Sequence, residues 1–101
     1  MVGLSQAIVV NPYVQDVTAS SAKIMFETNT GTTAFLHSGP TPFDLNRIAE
    51  ATSQIGNGSS RIFTAYLPNL SDQQKYYYKV VLGNGIQSNV YHFTTLALSY
   101  K

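Results

Sequence analysis

Lys75-Tyr76-Tyr77-Tyr78-Lys79-Val80 sets three tyrosines side by side in a chain with no tryptophan and no cysteine. In an extended strand, successive side chains face opposite sides. Tyr76, Tyr78 and Val80 then share one face, and Tyr77, Lys79 and Val81 share the other. Lys79 belongs in water, so the Tyr76 face is the core face. A tyrosine turned into a core must give its hydroxyl a partner. What lies on either side of this stretch therefore decides the fold.

Downstream, Gly83-Asn84-Gly85 separates the tyrosine strand from a second run, Ile86 to Thr95. An Asn-Gly pair between strands reads as a type I′ hairpin turn, which needs positive φ at both central residues. Upstream, Leu70 to Gln74 forms a crossover, and Arg61 to Leu67 reads as another strand. Nearer the N-terminus, Ile8 to Val17 is strand-like but broken at Asn11-Pro12. Proline cannot donate to a ladder, so that strand is expected at an edge or kinked. Ala22 to Thr28 and Thr33 to Ser38 follow, with Ile24 and Phe26 on one face. Gly56-Asn57-Gly58 marks a turn. Pro40 to Ile55 is open to two readings. Thr41-Pro42-Phe43-Asp44 carries the cap, proline and acid of a helix start, and NRIAEA favours helix by propensity. A connecting strand would serve equally well in that position.

Seven strands at roughly 8–12-residue spacing indicate an all-β sandwich or barrel. Sandwiches of immunoglobulin type contain a tyrosine corner, in which a tyrosine near the start of the penultimate strand bonds back to upstream backbone. Leu70 followed by Tyr76, Tyr78 and Val80 fits that arrangement. The stretch LPNLSDQQKYYYKVVLGNG, Leu67 to Gly85, resembles the E–F corner and F strand of fibronectin type III domains, which implies an immunoglobulin-like β-sandwich of that topology. Its structural residues are Phe26, Leu70, Tyr76, Tyr78 and Phe93.

Bulk composition agrees with one domain. The chain has 101 residues, 44% hydrophobic and only 11% charged. A chain of this mass buries roughly 65% of its unfolded surface, enough for a single core. The six Lys and Arg residues are scattered, which gives no basic footprint for nucleic acid. No apolar run approaches the ~20 residues needed to span a bilayer. Absence of cysteine removes disulfides and thiolate metal sites. The opening MVGLSQAIVV lacks the basic leader of an intact signal peptide, so the chain reads as a domain of a longer protein.

As a set, several motifs resemble the fibronectin-like N-terminal domain of purple acid phosphatases and related metallophosphoesterases. They are Pro12-Tyr13-Val14-Gln15, Thr18-Ala19-Ser20-Ser21, Met25-Phe26-Glu27-Thr28, Ser38-Gly39-Pro40, Tyr76-Tyr77-Tyr78 and Tyr91-His92-Phe93-Thr94-Thr95. Phe26 stands where the family usually has tryptophan, and Ser38 where it has tyrosine. The resemblance implies an extracellular or periplasmic, non-catalytic accessory domain without a cofactor. Its implied partner is the catalytic domain of the same chain, with dimerisation as a further role.

The metal-ligand motifs of that family look like GDxG, GDxxY, GNH-D/E and GHxH, and none occurs in this sequence. Gly56-Asn57-Gly58 and Gly83-Asn84-Gly85 begin like GNH but continue with glycine, as turns do. A dinuclear site needs several Asp, His and Asn side chains converging. Alternation sends Phe35, His37, Tyr77, Lys79, Val81, Val90, His92 and Thr94 to one outer sheet face. That face is apolar for a solvent surface, and Phe35, His37, Tyr77, Val90 and His92 are the candidate interface residues. A metal bridged by the two histidines lacks a carboxylate neighbour to complete it. Tyr66 and Tyr77 could instead stack on sugar rings, as in a carbohydrate- or surface-binding module of another extracellular hydrolase. Asn57-Gly58-Ser59 and Asn69-Leu70-Ser71 match glycosylation sequons.

Overall fold

The structure, a computed structural model, describes residues 6–56, 58 and 60–98. Eight strands follow in order: β1 (Ile8–Gln15), β2 (Ala22–Thr28), β3 (Ala34–Gly39), β4 (Arg47–Glu50), β5 (Thr52–Ile55), β6 (Arg61–Leu67), β7 (Lys75–Leu82) and β8 (Tyr91–Thr94). They form two four-stranded antiparallel sheets, β1-β2-β6-β5 and β4-β3-β7-β8. The sandwich expected from the sequence is present, with eight strands in place of seven. The sequon at Asn57 falls partly outside the described residues. The one at Asn69 lies on an exposed bend where Asn69 has φ 62°.

The additional strand comes from the segment whose reading stayed open, and it holds no helix. Its helix-start residues build a single tight turn instead: Asp44 N–H donates to Thr41 O at 3.2 Å, and Phe43 N–H to Thr41 Oγ1 at 3.3 Å. Beyond the turn, the stretches on either side of Ala51 are extended, Arg47–Glu50 and Thr52–Ile55. They complete ladders. β4 pairs with β3, and β5 pairs with β6 in the other sheet. The crossing point is Ala51, buried, whose N–H donates to Ala34 O at 2.9 Å.

Phe26, Phe63, Ile24, Leu36, Leu67, Leu82 and Val80 are the large, fully enclosed apolar side chains between the sheets. Phe26 and Phe63 are cross-strand partners whose rings lie parallel, 5.0 Å apart at 3°. That stack fills the place where a larger indole was expected. β1 is an edge strand with two register shifts, one between Ile8 and Val10 and one between Val10 and Tyr13 that spans Pro12.

The turn after β7 differs from the type I′ expectation. Gly85 has φ +93°, but Asn84 is not in the positive-φ region. Gly85 N–H donates to Leu82 O at 2.9 Å, and Leu82 N–H to Ile86 O at 2.8 Å. This is a three-residue loop closed by a glycine bulge, the next most favoured hairpin form. Val81 bridges Gln87 in the register of the loop, the register changes between Ser88 and Tyr91, and regular pairing resumes at Tyr91. In the gap, the Ser88 hydroxyl accepts from Val80 N–H at 2.9 Å, replacing a ladder bond.

Candidate functional site

The tyrosine corner is present. Ser71 N–H donates to the Tyr76 hydroxyl at 2.8 Å, and Leu70 is buried beneath it. The burial, however, is divided differently from the sequence expectation. Tyr78 is the enclosed tyrosine, whereas Tyr76 is half-buried with its ring 5.9 Å from that of Phe93. Burial, reinforced by Tyr91, pushes the Tyr78 phenol up to about 12. Thr95 closes the corner: its hydroxyl donates to Ser71 O at 2.6 Å and accepts from Gln74 N–H at 2.9 Å. Nothing in the sequence singled out Thr95 for this, because the bond joins residues far apart in the chain.

Phe35, His37, Tyr77 and His92 lie on the outer face of the second sheet, where the register orders them in rows, and Val90 just precedes β8. At the foot, Gly39, Tyr77 and His92 align across β3, β7 and β8. Above them Ile48, His37 and Lys79 form the next row, and Glu50, Phe35 and Val81 the one above that. Phe35, His37 and Tyr77 are half-exposed, and Val90 and His92 are exposed. The Tyr77 and His92 rings meet edge-on at 5.6 Å, and Lys75 Nζ sits 5.9 Å over the Tyr77 ring. Lys79 Nζ donates to Gln87 Oε1 at 2.8 Å. Partial desolvation, and then the Lys79 charge, hold His37 below the usual histidine range. Ile48, which is 61% exposed, extends this face; the sequence missed it because β4 could not be placed.

The two histidines lie on opposite sides of β7 and in different rows. Among the described residues, no three His, Cys, Asp or Glu side chains come together as a metal site. A cleft of about 300 Å³ opens at the foot of this sheet, lined by Ser38, Gly39, Pro40, Asp44, Asn46, Arg47 and Tyr76. Ser38 borders it where a bulkier residue was expected. Arg47 Nη2 reaches across to donate to Pro68 O at 2.6 Å, and Asn46 bonds the Asp44 carboxylate. Tyr66, on the opposite sheet, is 60% exposed.

No curated protein matches the chain. Among solved structures, the sensor domain of the anti-sigma factor RsgI4 in Pseudobacteroides cellulosolvens is similar. Its long form has a TM-score of 0.70 and 25% identity, covering 96% of this chain and 95% of that one. The short form gives 0.67 and 22%, covering 92% and 96%. Astrotactin-2, a vertebrate perforin-like membrane protein, shares the fold alone: TM-score 0.65, 10% identity, 90% of this chain and 22% of that one. Apart from Ile8 at the start of β1, the strands, the corner and the Tyr91–Thr95 ending all fall inside one family match. That match, to the family described as purple acid phosphatase, N-terminal domain, runs over residues 9–95, and the chain belongs to that family.

Proposed function

We propose that this chain is the non-catalytic accessory domain of a purple acid phosphatase-like metallophosphoesterase working outside the cytoplasm. It packs against the catalytic domain of the same chain and supports it through the outer face of the β4-β3-β7-β8 sheet. The observation that carries this reading is the family match over residues 9–95 in a sequence without the family's metal-ligand motifs. The aromatic and aliphatic character of the outer face supports it, since contiguous exposed apolar groups mark interaction surfaces.

Hydroxyl-radical footprinting tests it. Tyr77 and His92 label strongly in the isolated chain and are protected in the parent protein. Equal labelling in both would reject the docking role. The isolated chain supplied with divalent metal hydrolyses phosphate esters no faster than buffer, and genuine turnover would end the non-catalytic assignment.

A second reading has its own support. Tyr66, exposed, and Tyr77, half-exposed, offer rings for stacking and favour a carbohydrate- or surface-binding module, and the likeness to a sensor domain over 96% of the chain fits a binding role. Saturable retention on an insoluble polysaccharide, lost in Tyr77→Ala or Tyr66→Ala, would select this second reading.

A further inference from the structure

The turn between β3 and β4 holds the most exposed large apolar side chain of the described residues. Phe43 is 96% exposed. The turn that presents it is rigid. Pro42 fixes its first central φ, Asp44 N–H donates to Thr41 O at 3.2 Å, and Thr41 Oγ1 accepts from Phe43 N–H at 3.3 Å. The Asn46 and Asp44 side chains bond one another behind it. Gly39 lets the turn fold back tightly, because a Cβ there would lie 1.7 Å from Asp44 O. A phenyl held in water by this much local order makes no contact that the fold needs.

The chain leaves the sandwich at the same end. Gly39, Tyr77 and His92 share a row, so the foot of the turn and the end of β8 are two strand spacings apart, roughly 10 Å. Beyond β8 the backbone stays fastened to this end. Thr95 N–H donates to Gln74 O at 3.0 Å, Leu96 N–H to Thr18 O at 3.1 Å, and Gln73 N–H to Leu96 O at 3.2 Å. Leu96 and Leu98, 55% and 54% exposed, point the apolar character of the exit the same way. A segment continuing from Leu98 starts here, and each added residue reaches at most about 3.5 Å.

From this geometry we propose that the domain following in the same chain docks end-on. Phe43 is its anchor, and the contact runs onto the lower row of the outer face, Tyr77 and His92. The inference rests on the accessory-domain reading and makes it more specific. The upper residues of the face, Phe35 and Val90, lie at the margin of the contact or beyond it. The cleft between Tyr76 and Arg47, beside the anchor, receives a side chain of the partner. Rigid aromatic anchors next to pockets are where interface energy concentrates.

The test uses the parent protein, with Phe43→Ser and Val90→Ser compared for the rate of proteolysis between the two domains. Phe43→Ser leaves the melting of the isolated chain unchanged, because the side chain is outside the fold. In the parent protein it raises interdomain cleavage at least about tenfold, the loss expected for exposing one buried phenyl. Val90→Ser changes the rate little. Acceleration by both variants also supports the anchor, with a wider contact. Acceleration by Val90→Ser alone keeps docking on the sheet face and overturns the end-on geometry. No acceleration by either overturns the inference and the docking role together.

Discussion

Replacing Tyr76 with phenylalanine removes one oxygen and leaves the ring. The stack on Phe93 at 5.9 Å survives, so the change isolates the hydrogen bond from Ser71 N–H. A net intramolecular hydrogen bond contributes about 0.5–1.5 kcal/mol. Ser71 is exposed, so water can reach its freed amide and keeps the cost near about 1 kcal/mol. For a domain of this size that lowers Tm by about 4–8 °C. Tyr76→Ala also removes a half-buried ring and costs about 2 kcal/mol more, roughly half the full burial value. Urea melts and thermal scans read the stability, and native-state hydrogen exchange reads Ser71 itself. The loss is expected to be partly local, since Leu70 N–H to Ser20 O and Thr95 Oγ1 to Ser71 O still hold the crossover. Wild-type Tm in Tyr76→Phe, with unchanged protection at Ser71, would show that the corner bond does not stabilise this fold.

Other perturbations follow the same logic. Phe26→Ala empties half of the parallel stack on Phe63 and should cost about 3–5 kcal/mol in a chemical denaturation curve, a large share of the about 5–15 kcal/mol that holds a domain folded. Gly39→Ala drives a methyl into the Asp44 carbonyl; Tm should drop and the amide resonances of residues 40–46 should shift, whereas Gly58→Ala, with open space around its Cβ, pays only for its φ of +61°. Tyr78 has its pKa raised on folding, so the native state holds its proton longer than the unfolded one between pH 10 and about 12. Stability is complete below pH 10, falls through that window, and the fall is smaller in Tyr78→Phe when unfolding is followed against pH. His37 is shifted the other way. Its contribution is present above the ordinary histidine pKa of about 6.5 and is lost as pH falls through the lowered folded value; Lys79→Gln should raise that value in an NMR titration.

Local pattern carried most of this molecule. Period-two alternation around Tyr76–Val81 placed Tyr78, Val80 and Leu82 inward and Tyr77 and Lys79 outward, because a half-buried strand exposes its two faces to different solvents. Pro12 placed β1 at an edge, since a missing N–H is tolerated only there. The absence of any metal-ligand motif was likewise a property of the string itself.

Where competing local signals were balanced, tertiary structure decided. Thr41-Pro42-Phe43-Asp44 suits a helix start and a tight turn equally, and the unfilled ladder edges of β3 and β6 settled it by taking β4 and β5 as partners. The Gly83–Gly85 loop read as a type I′ turn and took the three-residue form instead, and β8 pairs in a different register from the residues nearest the loop. Thr95 at the corner bonds Ser71, 24 residues away, Ile48 reached the outer face by pairing with His37, and the β3-β7-β8 ladder brought the turn that carries Phe43 beside the chain's exit. Side-chain facing repeats every two residues and can be read from neighbours, but which surfaces meet depends on how distant strands close, and no short window of sequence contains that.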